Sequence, residues 1–331
     1  MIDRLKHFLA ALLFALFLIT LALTWWLLAR STMKPGYVLV EPGDRFSRVV
    51  AKLNANGIVN SPWLFSKISV LFGVDRRIIP GRYNFSGRMS NFDIIKRLWR
   101  RDIVISLVTI PEGFSTRQIK LRLAQDCGID PHLFDSLAHD SSFLTRLGIQ
   151  SGFAEGYLFP ETYRLPWGIA AAEAIRMMTG QLFSRLNDSL LQRARQMGMT
   201  LEDVLTMASI IELEAYAKDE LSTIASVYYN RLRVGMPLQA DPTVIYGMGG
   251  LDRGLKISDY HFPSTYNTYR HRGLPPSPIC SPGMKAIIAA LYPAQTNYLY
   301  FVADGKGRHV FNRTYQAHLH DNYRIKKALH Q

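Results

Sequence analysis

The spacing of apolar positions changes along the chain, and each change marks an element. From Phe8 to Ala29, FLAALLFALFLITLALTWWLLA carries no charge and outlasts the roughly 20 residues that cross a bilayer core. Trp25 and Trp26 stand near one end, where aromatic belts form, with Arg4 and Lys6 before the run and Arg30 and Lys34 after it. A cleaved signal peptide would have a shorter apolar core and a small-residue cleavage site. The pattern therefore predicts a permanent single-pass anchor over 8–29. If the short basic terminus, 1–7, stays cytoplasmic, the rest lies outside the cytoplasm, in the periplasm or its equivalent. STMKPG then reads as a short linker. YVLV is a β-rich run, and FSRVVAKLNANG has Phe46, Val49, Val50 and Leu53 at helical spacing. SPWLFSKISVLFG follows, with Ser61 as N-cap, Pro62 at the first helical position and Gly73 as stop. IIPGRYNF predicts a strand, SNFDIIKRLWRR a helix and IVISLVTIPEG a long strand. Together these form a small α+β module.

Residues 115–200 are mostly helical in pattern, interrupted by the aromatic Gly/Pro loop SGFAEGYLFPETYRLPWG. Loops of this kind either line a binding surface or serve as packed connectors. Beyond it come a helix from Thr200 and a second helix, LSTIASVYYNRLRVG. MPLQADPTVIYGMGG looks extended and turn-rich, YNTYRHRGLPPSPICSPG is a long loop, and MKAIIAALYPA is a helix. NYLYFVADGKGRHVFNRT has the form of a hairpin, and the chain closes in a surface helix.

One residue breaks the pattern. Thr200 and Asp203 form an approximate capping box, and Val204, Met207, Ala208, Ile210 and Ile211 gather on one helical face. Glu214 falls inside that stripe, whereas Glu212 lies about 160° away, near the polar edge. A carboxyl on an apolar wall has its charged form disfavoured, so its pKa rises and it can donate a proton near neutral pH. Glycoside cleavage needs such a donor. The alternative is a buried Glu paired with Arg231 or Arg233 on the next helix.

Composition narrows the partners without choosing among them. The 331 residues are 48% hydrophobic and carry a net charge of +13, which favours nucleic acid, anionic lipid or an acidic wall polymer. No nucleic-acid motif is present, and the basic cluster KRLWRR reads first as a solvated helix end. Cys127 and Cys280 are far apart and read as two free thiols. His318 and His320 have no third ligand nearby, so no metal site is expected.

MASIIELEA, IASVYYNRLRVGMPLQADPTVIYGMG, YNTYRHRGLPPSPICSPG and YLYFVADGKGRHVFN closely resemble the endolytic murein transglycosylase (YceG-like) family. EGYLFPETY, VTIPEGFSTRQI and PGRYNF extend the resemblance over nearly the whole chain. It implies an α+β fold: an anchor, a small LysM-like module over 36–108 and a larger catalytic domain over 109–331. It implies a lyase reaction on peptidoglycan glycan strands, leaving 1,6-anhydro-muramic ends and terminating strand growth. The implied setting is the inner membrane beside peptidoglycan synthases, with no metal or organic cofactor. The second Glu of the family's E-x-E motif, here Glu214, is implied as the catalytic acid/base. Glu155, Tyr157, Gln239, Asp241 and Asn267 stand at other motif positions and are expected to bind substrate or support the groove. The chain departs from the family at Leu213, where Lys is common, and after Glu220, where a charged pair is usual. It also departs at LWRR (Leu98–Arg101), in place of a Ser/Gly-containing turn. Two rival readings stand beside this one. A non-enzymatic wall-binding scaffold would not need Glu214. A pyridoxal-phosphate lyase would need a phosphate cradle, and no Gly-rich phosphate loop is present.

Overall fold

The computed structural model describes residues 2–329. It is a mixed α+β structure with one N-terminal apolar helix and three two-stranded sheets among the described residues. Two compact units emerge. The first comprises the chain through Ser106 with Asp126–Gly128 and Arg164–Ile169; the second comprises Leu107–Gln125, Ile129–Tyr163 and the chain from Ala170 onward.

The first unit begins with α1 (Ile2–Leu28), which is long and apolar enough over Asp3–Leu28 to cross a membrane. Next come β1 (Ser31–Val40), α2 (Phe46–Ala55), α3 (Pro62–Leu71), β2 (Gly81–Met89) and α4 (Asn91–Trp99). β1 and β2 pair antiparallel, Val38 opposite Tyr83 and Val40 opposite Gly81, with an irregularity between Met33 and Gly36. STMKPG is thus strand, not linker: its local sequence is a poor strand former, and a partner far along the chain supplies its backbone bonds. Val38, Val40, Val49, Leu53, Phe65 and Tyr83 form the core. Trp26 and Leu27, at the end of α1, pack against it. Asn91 Nδ2 also donates to the Trp26 carbonyl at 2.9 Å, so the apolar helix runs into the module without a spacer. α4 opens with a full capping box: Asp93 N–H donates to Ser90 Oγ at 3.1 Å, and Ser90 N–H to Asp93 Oδ2 at 2.9 Å. Ser61 makes no such side-chain bond, leaving Pro62 as the start signal of α3; Gly73, at φ +69°, ends it as expected.

Further on, β3 (Ile105–Thr109) is shorter than the long strand its sequence suggests. Next come α5 (Thr116–Cys127), α6 (Pro131–Ala138) and α7 (Ser141–Arg146), then β4 (Thr162–Pro166), which pairs with β3. α8 (Ala171–Arg185), α9 (Asp188–Gln196), α10 (Leu201–Glu214) and α11 (Leu221–Arg233) follow. α12 (Asp241–Gly247) replaces the extended segment expected there; its start signal, Pro242 just inside the N-terminus, is overshadowed by the glycines after it. α13 (Met284–Leu291), the hairpin β5 (Tyr300–Ala303) and β6 (His309–Asn312), and α14 (Tyr315–Leu329) complete the order. α10 is central, packed by α9, α11, α12 and α13. Every residue from Val204 to Glu212 is buried, and each large apolar side chain among them contributes about 2 kcal/mol. Such a helix has no polar edge. Glu212, placed at one by the periodicity, is buried instead. Cys127 and Cys280 are both free and buried.

Candidate active site

Glu214 is the last residue of α10, where the helix breaks into extended backbone at Ala215. The break leaves its carboxyl at the wall of a cleft of about 400 Å³, which Arg231, Gln239, Asp241, Tyr269 and His309 also line. The wall of α11 supplies its partner. Tyr228, fully buried with its ring edge-on to Phe301, donates its hydroxyl to Glu214 Oε1 at 2.8 Å. Among the described residues no other group bonds the carboxyl, so Oε2 is free for a ligand.

The pKa of Glu214 is pushed up to about 7. Burial is the main cause; the Tyr228 hydrogen bond opposes it, the charge of Asp241 adds to it and Arg231 opposes it. Arg231 is not the ion-pair partner that a buried Glu would ordinarily find. Its guanidinium donates to the carbonyls of Leu299, at 2.7 Å, and Leu238. Arg233 donates to Asn230 Oδ1 at 2.9 Å. The carboxyl is thus held by a neutral donor and stays close to half protonated at neutral pH, able both to give and to take a proton.

The first Glu of the motif has a different setting. Glu212 pairs with Lys218 and accepts from Gly283 N–H at 2.9 Å; Lys218 also bridges to Glu112 at 3.0 Å. A Cβ at Gly283 would lie 1.8 Å from Glu112 Oε1, so the backbone reaches the pair only because it is glycine. Glu212 thereby ties the end of α10 to the loop before α13.

Among the other residues singled out in the sequence, Gln239 and Asp241 share the cleft with Glu214. Gln239 has φ +51°, a left-handed conformation that costs a non-glycine residue about 1 kcal/mol, and its N–H donates to the Thr268 carbonyl at 3.1 Å. Asp241 Oδ1 accepts from Tyr269 O–H at 2.6 Å. Asn267 is buried: its amide donates to the Tyr260 and Phe262 carbonyls, and its Oδ1 accepts from Tyr269 N–H at 3.0 Å. It shapes the loop that presents Tyr269 rather than facing the cleft. Glu155 stands elsewhere, lining a cavity of about 680 Å³, its carboxyl taking Thr116 N–H at 2.9 Å and Tyr246 O–H at 3.1 Å. Tyr157 is buried, which pushes its phenol up to about 12.

Periodicity missed Tyr228, Tyr269 and His309, because three separate segments bring them to Glu214. Each stands in a motif quoted above (YYNR, YNTY, RHVFN), the one signal that could have found them. His309 is fixed by Glu220, Nδ1 to Oε2 at 2.9 Å, and its ring meets Phe301 edge-on at 5.2 Å. No group of three or more His, Cys, Asp or Glu side chains among the described residues is arranged to hold a metal ion.

The site is thus a cleft walled by one half-buried carboxyl with a neutral hydrogen-bond donor, at the end of a helix enclosed by others in an α+β unit. The chain belongs to the YceG-like family, whose pattern matches residues 38–324. It is 31% identical to the endolytic murein transglycosylase of Bacillus subtilis (strain 168) over 297 residues, 84% of this chain and 81% of that one. It is 29% identical to the enzyme of the same name from Streptococcus pneumoniae serotype 2 (strain D39), over 80% of this chain and 53% of that longer one. The crystal structure of a yceG-like protein from Listeria monocytogenes resembles it with a TM-score of 0.61 at 29% identity, covering 87% of this chain and 99% of that chain.

Proposed function

We propose that this protein is a membrane-anchored lytic transglycosylase that cuts peptidoglycan glycan strands internally, with Glu214 as its acid and then its base. The observation that carries the reading is the Glu214 carboxyl itself, held among the described residues by Tyr228, with a pKa of about 7, at the wall of a cleft. The relatives named endolytic murein transglycosylase support the substrate class.

In this mechanism protonated Glu214 gives its proton to the glycosidic oxygen between N-acetylmuramic acid and N-acetylglucosamine. The C1–O bond breaks and the muramic ring passes through an oxocarbenium-like state. Glu214, now a carboxylate, takes the proton from the muramic C6 hydroxyl, whose oxygen bonds to C1. The products are a 1,6-anhydro-muramic end and a free N-acetylglucosamine end, with no water added and Glu214 protonated again. Because the substrate supplies the nucleophile, one carboxyl suffices. Asp241, held by Tyr269, places a fixed negative charge along the cleft that favours the cationic ring. No metal or organic cofactor enters any step.

The β1–α2–α3–β2 order of the first unit supports a LysM-like glycan-binding role, and α1 supports anchorage in the inner membrane with the rest of the chain outside the cytoplasm. That placement suits an enzyme that ends growing strands beside peptidoglycan synthases. The test uses full-length protein in detergent, wild type and Glu214→Gln, incubated with purified peptidoglycan and read by liquid chromatography with mass spectrometry. Anhydro-muramic ends from the wild type alone are expected. Reducing ends would replace the lyase with a hydrolase and make Asp241 the second catalytic group. Glycan bound but uncut by the wild type would leave a binding scaffold.

A further inference from the structure

KRLWRR (Lys96–Arg101), first read as a solvated helix end, does not stand alone in the fold. Arg30, Arg88, Lys96, Arg97 and Arg100 line a shallow cleft of about 350 Å³ in the first unit, opposed by Asp93 and Asp102. The two carboxylates are already engaged. Asp93 caps α4 and lies 3.6 Å from Arg30 Nε, and Asp102 lies 3.2 Å from Arg97 Nε. Arg88, Lys96 and Arg100 have no carboxylate or carbonyl partner among the described residues. Lys96 and Arg97 sit in the last turn of α4, where the helix dipole favours cations. That explains their place on α4. It does not explain why Arg88 from β2 and Arg30 from the start of the chain open onto the same cleft.

The position of the cleft says what the unpaired cations meet. Arg30 is two residues beyond the end of α1, within about 7 Å of it along the chain. Trp26 and Leu27 pack against the module core, Asn91 holds the Trp26 carbonyl, and β1 begins at Ser31. The module therefore cannot move away from the end of the helix. Exposed Trp25 stands in the last turn of α1, and tryptophan is a side chain that settles at a bilayer interface. With α1 across the membrane, as read above, the cleft stands at the level of the lipid phosphates.

We infer that this cleft is a binding site for the phosphate group of an anionic membrane lipid, held by Arg88, Lys96 and Arg100 with Arg30 at the bilayer side. The site clamps the module against the membrane surface and rests on the reading of α1 as a membrane span.

Full-length protein in neutral detergent is titrated with phosphatidylglycerol, phosphatidylcholine and inorganic diphosphate, and bound species are counted by native mass spectrometry. Phosphatidylglycerol should be retained over phosphatidylcholine. The triple variant Arg88→Gln/Lys96→Gln/Arg100→Gln should hold it on the order of 100-fold more weakly, at about 1 kcal/mol per basic residue. Arg88→Lys/Arg100→Lys, which keeps the charge, should retain the lipid. Equal retention of the two lipids, or an unchanged triple variant, would overturn the site. Diphosphate binding as tightly as phosphatidylglycerol would make it a soluble-anion site and overturn the lipid assignment. Loss of co-sedimentation with purified peptidoglycan in the triple variant, with lipid retention intact, would give the cleft to the wall polymer. The anchor is checked separately by flotation with vesicles of phosphatidylcholine alone. A wild-type chain that does not float removes the span, and with it the placing of the cleft at the headgroups, whatever the titration shows.

Discussion

Two carboxyls in the second unit, one buried and one half-buried, each take a hydrogen bond from a tyrosine and each line a cavity: Glu155 with Tyr246, and Glu214 with Tyr228. Burial raises the pKa of both. What separates them is the second oxygen. Both oxygens of Glu155 are engaged, Oε1 by the Thr116 N–H and Oε2 by the Tyr246 hydroxyl, so its carboxyl joins α5 to α12. Glu214 Oε2 is open, and Asp241 adds a negative charge that favours protonation. A raised pKa is common to both carboxyls; the unclaimed oxygen in a cleft is what singles out Glu214 for the role proposed above.

The sharpest way to break this comparison is Glu214→Gln, which should lower kcat at least 1000-fold on peptidoglycan. The same change should stabilise the fold at alkaline pH. The folded pKa of Glu214 stands above its unfolded value of 4.5, so the folded state binds the extra proton between pH 4.5 and about 7. Stability is full below that window and falls as pH rises through it, by about 3 kcal/mol in all. Thermal melting at pH 8 and pH 4 should show the Gln variant above wild type at pH 8 only. A variant that loses activity and also stability at pH 8 would place Glu214 in a structural role.

Next in size is Tyr228→Phe. The bond from Tyr228 lowers the Glu214 pKa, so its loss raises it. Wild-type kcat/KM should fall as pH rises above about 7. In the variant that limb should move up by about one unit, with a roughly tenfold lower kcat from the misplaced carboxyl. An unmoved limb would mean that another group controls the profile. The smallest expected effect is Glu155→Gln: about 1–3 kcal/mol of stability lost with kcat unchanged. Loss of kcat with the fold intact would show that the Glu155 cavity is part of the reaction path.

Local sequence made Glu214 legible because a charge inside an apolar stripe is visible to periodicity. It misplaced Glu212 because periodicity assumes a solvent side, and α10 has none between Val204 and Glu212. The capping box at Thr200 was legible because its partners are three residues apart. The strand at STMKPG was not, since its partner is β2, across two intervening helices. Tyr228, Tyr269 and His309 meet Glu214 only through the packing of α11, the loop after α12 and the β5–β6 hairpin. No window along the chain contains that juxtaposition.

If α1 spans a membrane, as proposed, the absence of a spacer between it and β1 makes it a lever. A helix in a bilayer answers a change in hydrocarbon thickness by tilting. A flexible joint would absorb that tilt. Here Trp26 and Leu27 pack against the module core, so on that proposal a tilt of the helix becomes an inclination of the module, and bilayer thickness sets the attitude at which its surface is presented.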